Sequence, residues 1–368
     1  MRLLFVFGTR PEAIKMAPVV KEAKEHCNNF EVTVVATAQH REMLDQVLDV
    51  FSLKPDYDLN IMTDNQSLFD ISNECLFRIK EVLERVKPDL VLIQGDTTTA
   101  FTTALAAFYL GIKVGHIEAG LRTFDIYRPF PEEMNRKLIS SLATLHFTPT
   151  KKNEENLLRE GIDESRIFVT GNTAIDALLM AIKNDRSLTS NHKFREVDFD
   201  KKIILVTAHR RENFGENIRN ICYAMKEITE RNEDVEIIYP VHPNPNIKNV
   251  VHEILGNCSR IYLIKPLGYY DFVQLMNKSY LVLTDSGGIQ EEAPSLGKPV
   301  LVLREETERP EAVEAGTVKI VGVDKVRIVS SVQLLLNDES QYNRMAKVVN
   351  PYGDGKASQR IVEIIKST

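Results

Sequence analysis

Cysteine is scarce and scattered. Cys27, Cys75, Cys222 and Cys258 form no C-x-x-C pair, which fits neither a disulfide-stapled scaffold nor a zinc site and points to a reducing cytoplasm. Basic charge is not in excess: 46 Lys and Arg stand against 52 Asp and Glu, a net charge of −6, so the basic face of a dedicated nucleic-acid binder is not expected. Long apolar runs are missing too. Nothing approaches the ~20 residues of a membrane span, and Leu3–Phe7 is too short for the core of a secretory signal. No internal repeat is visible, which excludes solenoids and propellers. Also absent are G-x-G-x-x-G after the first apolar run, G-x-x-x-x-G-K-[ST], G-x-S-x-G and H-E-x-x-H, which weakens dinucleotide-dehydrogenase, NTPase, serine-hydrolase and metalloprotease readings.

What is present is ordinary globular material, 43% hydrophobic and 27% charged over 368 residues. Single cores stop growing near about 250–300 residues, so two domains are expected. Short apolar, β-branched runs alternate with longer amphipathic stretches, the pattern of β-α-β units around mostly parallel sheets, and the fold class is therefore α/β. Strands are expected at Leu3–Phe7, Val32–Thr37, Leu90–Gln94, Lys113–Ile117 and Leu145–Phe147, then at Ile203–Thr207, Glu236–Val241, Arg260–Ile264, Tyr280–Thr284 and Pro299–Leu303. The polar stretch Asn184–Lys202 reads as an exposed linker. It divides the chain into domains 1–183 and 184–350, followed by a C-terminal segment, 351–368, whose amphipathic Ala357–Lys366 is expected to pack back on the first domain.

In open α/β sheets ligands bind beyond the carboxyl ends of strands, and those positions carry most of the unusual residues. Gly8-Thr-Arg10, Ala38-Gln39-His40-Arg41, Gly95-Asp96 and Glu118-Ala-Gly-Leu-Arg122 follow strands of the first half. Ala208-His209-Arg210-Arg211, His242-Pro-Asn-Pro, Asp285-Ser286-Gly287-Gly288 and Arg304 to Arg309 follow strands of the second. Each has a plain structural alternative. Thr97–Thr99 serves equally as a helix cap, and Asp96 can cap and catalyse at once. Gly287-Gly288 opening a helix suits an anion cradle. Arg10, Arg210, Arg211 and Arg309 are singly ordinary surface residues, but their shared placement favours a diphosphate clamp. His209 and His242 follow equivalent strands without metal-ligand spacing, so proton transfer or hydrogen bonding to phosphate is the better assignment; His26, His146, His192 and His252 receive none. Asp96, Glu118 and Glu132 are the acid/base candidates, with Glu133 read as the solvated neighbour at the same helix start. The residues by themselves describe a two-domain α/β enzyme that binds a nucleotide or sugar diphosphate between its domains.

As an ordered set, Gly8-Thr-Arg-Pro-Glu-Ala-Ile-Lys-Met-Ala-Pro18, Thr37-Ala-Gln-His-Arg41, Gln94-Gly-Asp-Thr97, His116-Ile-Glu-Ala-Gly-Leu-Arg-Thr123, Pro131-Glu-Glu-Met-Asn-Arg136, Gly171-Asn-Thr173, Ala208-His-Arg-Arg-Glu-Asn213, Tyr239-Pro-Val-His242, Thr284-Asp-Ser-Gly-Gly288 and Glu308-Arg-Pro310 resemble the non-hydrolysing UDP-N-acetylglucosamine 2-epimerases. The resemblance implies two facing Rossmann-like domains of the glycosyltransferase B architecture with an interdomain active-site cleft. It also implies a homodimer that needs neither NAD nor an obligatory metal, to which composition adds the expectation of a cytoplasmic protein with no nucleic-acid or membrane partner. The implied reaction is reversible C2 epimerisation of UDP-N-acetylglucosamine to UDP-N-acetylmannosamine, a precursor for surface polysaccharide or glycan synthesis. It proceeds by elimination of UDP to a bound 2-acetamidoglucal and re-addition.

By resemblance, Asp96, Glu118 and Glu132 are the acid/base carboxylates and His209 the phosphate-side histidine. Arg10, Lys15, Arg136, His242, Phe272, Ser286, Gly287, Gly288, Glu292 and Arg309 contact the substrate, with Phe272 beside the uracil and Glu292 on the ribose. Gln39, His40 and His242 match a second, regulatory UDP-sugar site of some bacterial relatives; the chain departs from them at Glu42 and Asn65, where they carry Gln and Arg. The rival expectations are a hydrolysing relative, a glycosyltransferase of the same architecture, and a module that binds UDP without turnover.

Overall fold

A computed structural model describes residues 1–37, 41–63, 65–183 and 194–368. The chain divides into two compact units, Met1–Met180 with Tyr352–Thr368, and Ala181–Pro351. Both are α/β, with sheets that are parallel throughout their described strands. Among the described residues no helix is long and apolar enough to cross a membrane.

The first part of the chain runs β1 (Arg2–Phe7), α1 (Arg10–Glu25), β2 (Glu31–Ala36), α2 (Arg41–Val50), β3 (Tyr57–Asp58), α3 (Leu68–Val86), β4 (Leu90–Gln94), α4 (Thr98–Tyr109), β5 (Lys113–Ile117), α5 (Glu132–Leu142), β6 (Leu145–Thr148), α6 (Lys151–Arg159), β7 (Ile167–Val169) and α7 (Thr173–Lys183). The sheet order is β3-β2-β1-β4-β5-β6-β7. Strand order therefore reverses between β1 and β4, which is where a doubly wound sheet opens a crevice beyond its strand ends. The central strands are near-continuous apolar runs because helices cover both faces. Thr9 and Glu12 form a capping box that starts α1, with Pro11 fitting the first turn where an N–H is not needed.

The second part runs β8 (Lys202–Thr207), α8 (Glu216–Arg231), β9 (Val235–Pro240), α9 (Pro245–Leu255), β10 (Ile261–Ile264), α10 (Tyr269–Lys278), β11 (Leu281–Thr284), α11 (Gly287–Glu292), β12 (Val300–Val302), α12 (Pro310–Ala315), β13 (Val318–Ile320), α13 (Lys325–Asn337) and α14 (Glu339–Ala346). Its order, β10-β9-β8-β11-β12-β13, reverses between β8 and β11. The α8 side chains Ile218, Ile221, Cys222, Met225 and Ile228 recur at helical spacing and pack on Ile204, Val206 and Ile237. Each such side chain fully buried contributes about 1.5–3 kcal/mol.

The final helix, α15 (Ala357–Ser367), belongs to the first unit and packs on α1. Its start is capped from a distance: Ala357 N–H, Ser358 N–H (2.8 Å) and Ser358 Oγ (2.6 Å) all donate to the Asp176 carboxylate on α7. Three short edge strands, β3, β7 and β13, were not expected, because two or three residues are too few to show a period. The stretch read as an exposed linker is anchored at its end. Phe194 is buried edge-to-face on Phe199 (6.2 Å), and Asp198 N–H donates to Glu236; residues 184–193 lie outside those described.

His116 and His146, partners in register on β5 and β6, are fully buried in the first unit. His116 Nε2–H donates to the Gly95 carbonyl at 2.7 Å. Burial lowers both imidazoles, His116 to about 4 and His146 to about 3. The unfolded chain takes up these protons near about pH 6.5, whereas the native state does so only near those lower values. Acidification from about pH 6.5 toward about 4 should thus destabilise the protein by about 1.4 kcal/mol per pH unit for each histidine. Urea unfolding across that range checks this, and replacing His146 by Leu should reduce the slope by one histidine's share. An unchanged slope would contradict it.

Candidate active site

The loops after β1 and β4 are tied together by a buried glutamate. Glu12 accepts from Gly8 N–H (3.0 Å), Thr9 N–H (2.7 Å), Thr9 Oγ1 (2.8 Å) and, from the other loop, Thr97 Oγ1 (2.6 Å). Burial raises its pKa against the lowering effect of those donors. Gly8 has no alternative here, since a Cβ would collide with the hydroxyls of Thr37 and Thr99. At the end of β4, Gly95 takes φ +71°, a turn that suits glycine and delivers Asp96.

Asp96 is held by Arg136 from α5. The guanidinium approaches Asp96 Oδ2 through Nε at 2.8 Å and Nη2 at 2.6 Å, and Asn135 donates to the Asp96 carbonyl at 2.9 Å. Arg136 Nη1 meets Glu133 Oε2 at 2.9 Å. Burial draws the Arg136 pKa down, but the two carboxylates outweigh it and leave it raised. Arg136, expected to contact substrate, thus spends these donors on two protein carboxylates.

Glu133 is not the solvated neighbour it was expected to be. It is fully buried and also accepts from Thr123 N–H (3.0 Å) and Phe124 N–H (3.1 Å), fixing the loop after Arg122. Glu132, one residue earlier at the start of α5, is half-buried. Its side chain has no hydrogen-bond or ion-pair partner among the described residues.

Glu118, at the end of β5, has φ +65°, a left-handed conformation that a non-glycine residue adopts only when its surroundings impose it. Lys15 Nζ lies 2.5 Å from its Oε2, the Gln94 amide donates to the same oxygen, and Asn172 Nδ2 reaches Oε1 at 3.4 Å. Asn172 is itself held by the Tyr352 carbonyl through its backbone N–H at 2.7 Å. Arg10 opens α1 and is half-buried. Gln39 and His40 lie outside the described residues.

The second unit places its candidates at its own reversal point. Thr207 and Thr284, at the ends of β8 and β11, share a hydroxyl hydrogen bond of 2.6 Å. The following residue, Asp285, is fully buried and accepts backbone N–H groups from His209 and Arg210. His209 stacks on His242, with ring centroids 5.8 Å apart and planes 14° apart. Burial holds the His209 imidazole below its ordinary value, against the opposing pull of Asp285.

Ser286 precedes α11, at whose first residue, Gly287, an added Cβ would meet the Arg309 guanidinium at ordinary contact distance. Arg309 is in turn paired with buried Glu291. Phe272 on α10 and Glu292 on α11 are half-buried. Glu292 adds its charge to burial in raising the Tyr269 phenol well above its usual range. Among the described residues no group of three or more His, Cys, Asp or Glu is arranged to hold a metal ion.

The family model for UDP-N-acetylglucosamine 2-epimerase matches residues 21–366. The chain belongs to that family. It is 56% identical over 372 residues to the UDP-N-acetylglucosamine 2-epimerase of Campylobacter jejuni, covering 99% of this chain and 97% of that one. The crystal structure of the Neisseria meningitidis enzyme bound to UDP-GlcNAc superposes with a TM-score of 0.88 at 50% identity, covering both chains fully. The Methanocaldococcus jannaschii enzyme in complex with UDP-GlcNAc and UDP gives 0.79 at 37% identity, again with full coverage of both.

Gln94, Asn172 and Asp285 receive no role from the sequence, and Glu133 only that of a solvated neighbour, although family strings contain all four, because their importance lies in whom they touch. Replacing Glu133 by Ala leaves Arg136 paired with Asp96 but strands its Nη1 and two buried backbone N–H groups, and should lower stability by about 1–3 kcal/mol. Glu132→Ala should stay within about 0.5 kcal/mol of the parent. Urea unfolding of the two variants decides, and equal losses would contradict the assignment.

Proposed function

We propose that the protein interconverts UDP-N-acetylglucosamine and UDP-N-acetylmannosamine by eliminating UDP and adding it back, releasing no free sugar. The observation that carries this reading is the trio Asp96, Glu118 and Glu132 on strand-end loops and a helix start of one unit, each held or exposed differently, in a member of this family. A carboxylate takes the C2 proton, and the electrons of that bond form C1=C2 as the C1–O bond breaks and UDP leaves with its electron pair. The enzyme-bound 2-acetamidoglucal regains a proton at C2 from its other face as UDP re-adds at C1. General acid and base are both required, and a trio of carboxylates supplies them.

In this reading Arg136 pins Asp96 through a single oxygen, which leaves the other to exchange a proton. Lys15, Gln94 and Asn172 orient Glu118. Arg10, His209, Arg309 and the Ser286–Gly288 turn take the diphosphate and offset the charge that develops as UDP leaves. Phe272 takes the uracil and Glu292 the ribose, and His242 stacks behind His209.

The product would feed glycan assembly, and the four free cysteines suit a reducing cytoplasm. A second copy of the chain would cover the first unit's exposed aromatics, Phe69 (86% exposed) and Phe77 on α3 with Phe108 and Tyr109 at the end of α4.

Chromatography of a reaction with UDP-N-acetylglucosamine should reveal UDP-N-acetylmannosamine. Free N-acetylmannosamine with UDP would replace the reading with hydrolysis. Asp96→Asn and Glu118→Gln should each lose turnover by ~10²–10⁴-fold while still binding UDP. Parental rates in either variant would remove that residue from the mechanism.

A further inference from the structure

Asp285 is a fully buried carboxylate with no part in the proposed chemistry so far. Its Oδ2 accepts from His209 N–H (2.7 Å), Arg210 N–H (2.8 Å) and Asn213 Nδ2 (2.9 Å), which pins the loop after β8. Its Oδ1 is buried without a hydrogen-bond partner among the described residues and lies 3.2 Å from Nδ1 of His209. A carboxylate oxygen offers only lone pairs, so the group that can satisfy this buried Oδ1 is a proton on the nearby Nδ1, which leaves the lone pair of a neutral ring on Nε2. We propose that Asp285 is the positioning residue of His209: it fixes the Nδ1–H tautomer and stabilises the imidazolium that forms when Nε2 takes a proton from solvent beside a bound diphosphate. This rests on the epimerase reading, in which His209 stands next to the leaving UDP.

The groups around the ring agree with this role. Asp285 faces its Nδ1 edge, His242 stacks on one face, and Arg210 is adjacent, itself 3.7 Å from Glu308. Burial, joined by His242 and Arg210, outweighs Asp285 and keeps the resting ring below its ordinary pKa. An arriving diphosphate adds negative charge and reverses that balance, so UDP binding should be accompanied by proton uptake at His209.

Asp285→Asn separates this role from loop anchoring. Its amide oxygen still accepts the three donors, but its NH₂ then faces Nδ1 and drives the ring to the Nε2–H tautomer. Nitrogen-15 spectra, with His209 assigned by comparison with His209→Gln, should report Nδ1–H in the parent and Nε2–H in Asp285→Asn. Calorimetry in buffers of different ionisation enthalpy should show proton uptake on UDP binding in the parent and its loss in the variant. Turnover should fall about 100-fold with UDP still bound, the scale of a general acid–base contribution. An Nε2–H parent ring, or an unchanged tautomer in the variant, would overturn the proposal. Should Asp285→Asn fail to fold, the parent spectrum alone decides. A fully active His209→Gln would break the reading of His209 at the phosphate, an outcome distinct from a wrong tautomer.

Discussion

A carboxylate withdrawn from water must be given hydrogen-bond donors, or burying its charge is prohibitively unfavourable. This constraint organises both halves of the molecule. Glu12 gathers donors from the loops after β1 and β4, and Glu133 gathers Arg136 with two N–H groups of the loop after Arg122. Asp285 gathers the loop after β8. Behind the loops that carry Asp96 and His209 stands in each case a buried acid whose donors cannot move independently. Asp96 is therefore fixed through Arg136, and His209 through its own backbone.

Glu118 follows a variant of the same logic. Its left-handed backbone is unfavourable by itself, and it is the crowd of Lys15, Gln94 and Asn172 that makes the conformation stable. Asn172 is in turn tied to Tyr352, so the returning C-terminal segment of the first unit contributes to the geometry of a carboxylate far away in sequence. The distance-capped α15 secures that segment through Asp176.

Much of this was legible in the chain and some was not, for identifiable reasons. The strand-end loops announce themselves because a parallel sheet buried on both faces demands apolar runs, and polar residues directly after such runs have few reasons to be there. The α/β class follows from the same alternation. The choice between Glu132 and Glu133 was not legible. Neighbours on a helix point about 100° apart, and which of them turns inward depends on how the preceding Pro129–Pro131 segment enters α5. The role of Asp285 was hidden similarly. Nothing in Thr284-Asp-Ser-Gly reveals that its partner arrives from the end of β8, 76 residues earlier in the case of His209. The edge strands β3, β7 and β13 escaped notice because pairing, and not composition, makes two or three residues a strand.

Proton abstraction at C2 is the central claim, and isotope entry tests it most directly. Proton NMR of the protein with UDP-N-acetylglucosamine in D₂O, following the anomeric and C2 signals together, should show UDP-N-acetylmannosamine appearing with deuterium at C2. Epimer that retains its C2 proton would contradict the account, because no route through a bound glucal preserves that hydrogen in exchange with solvent.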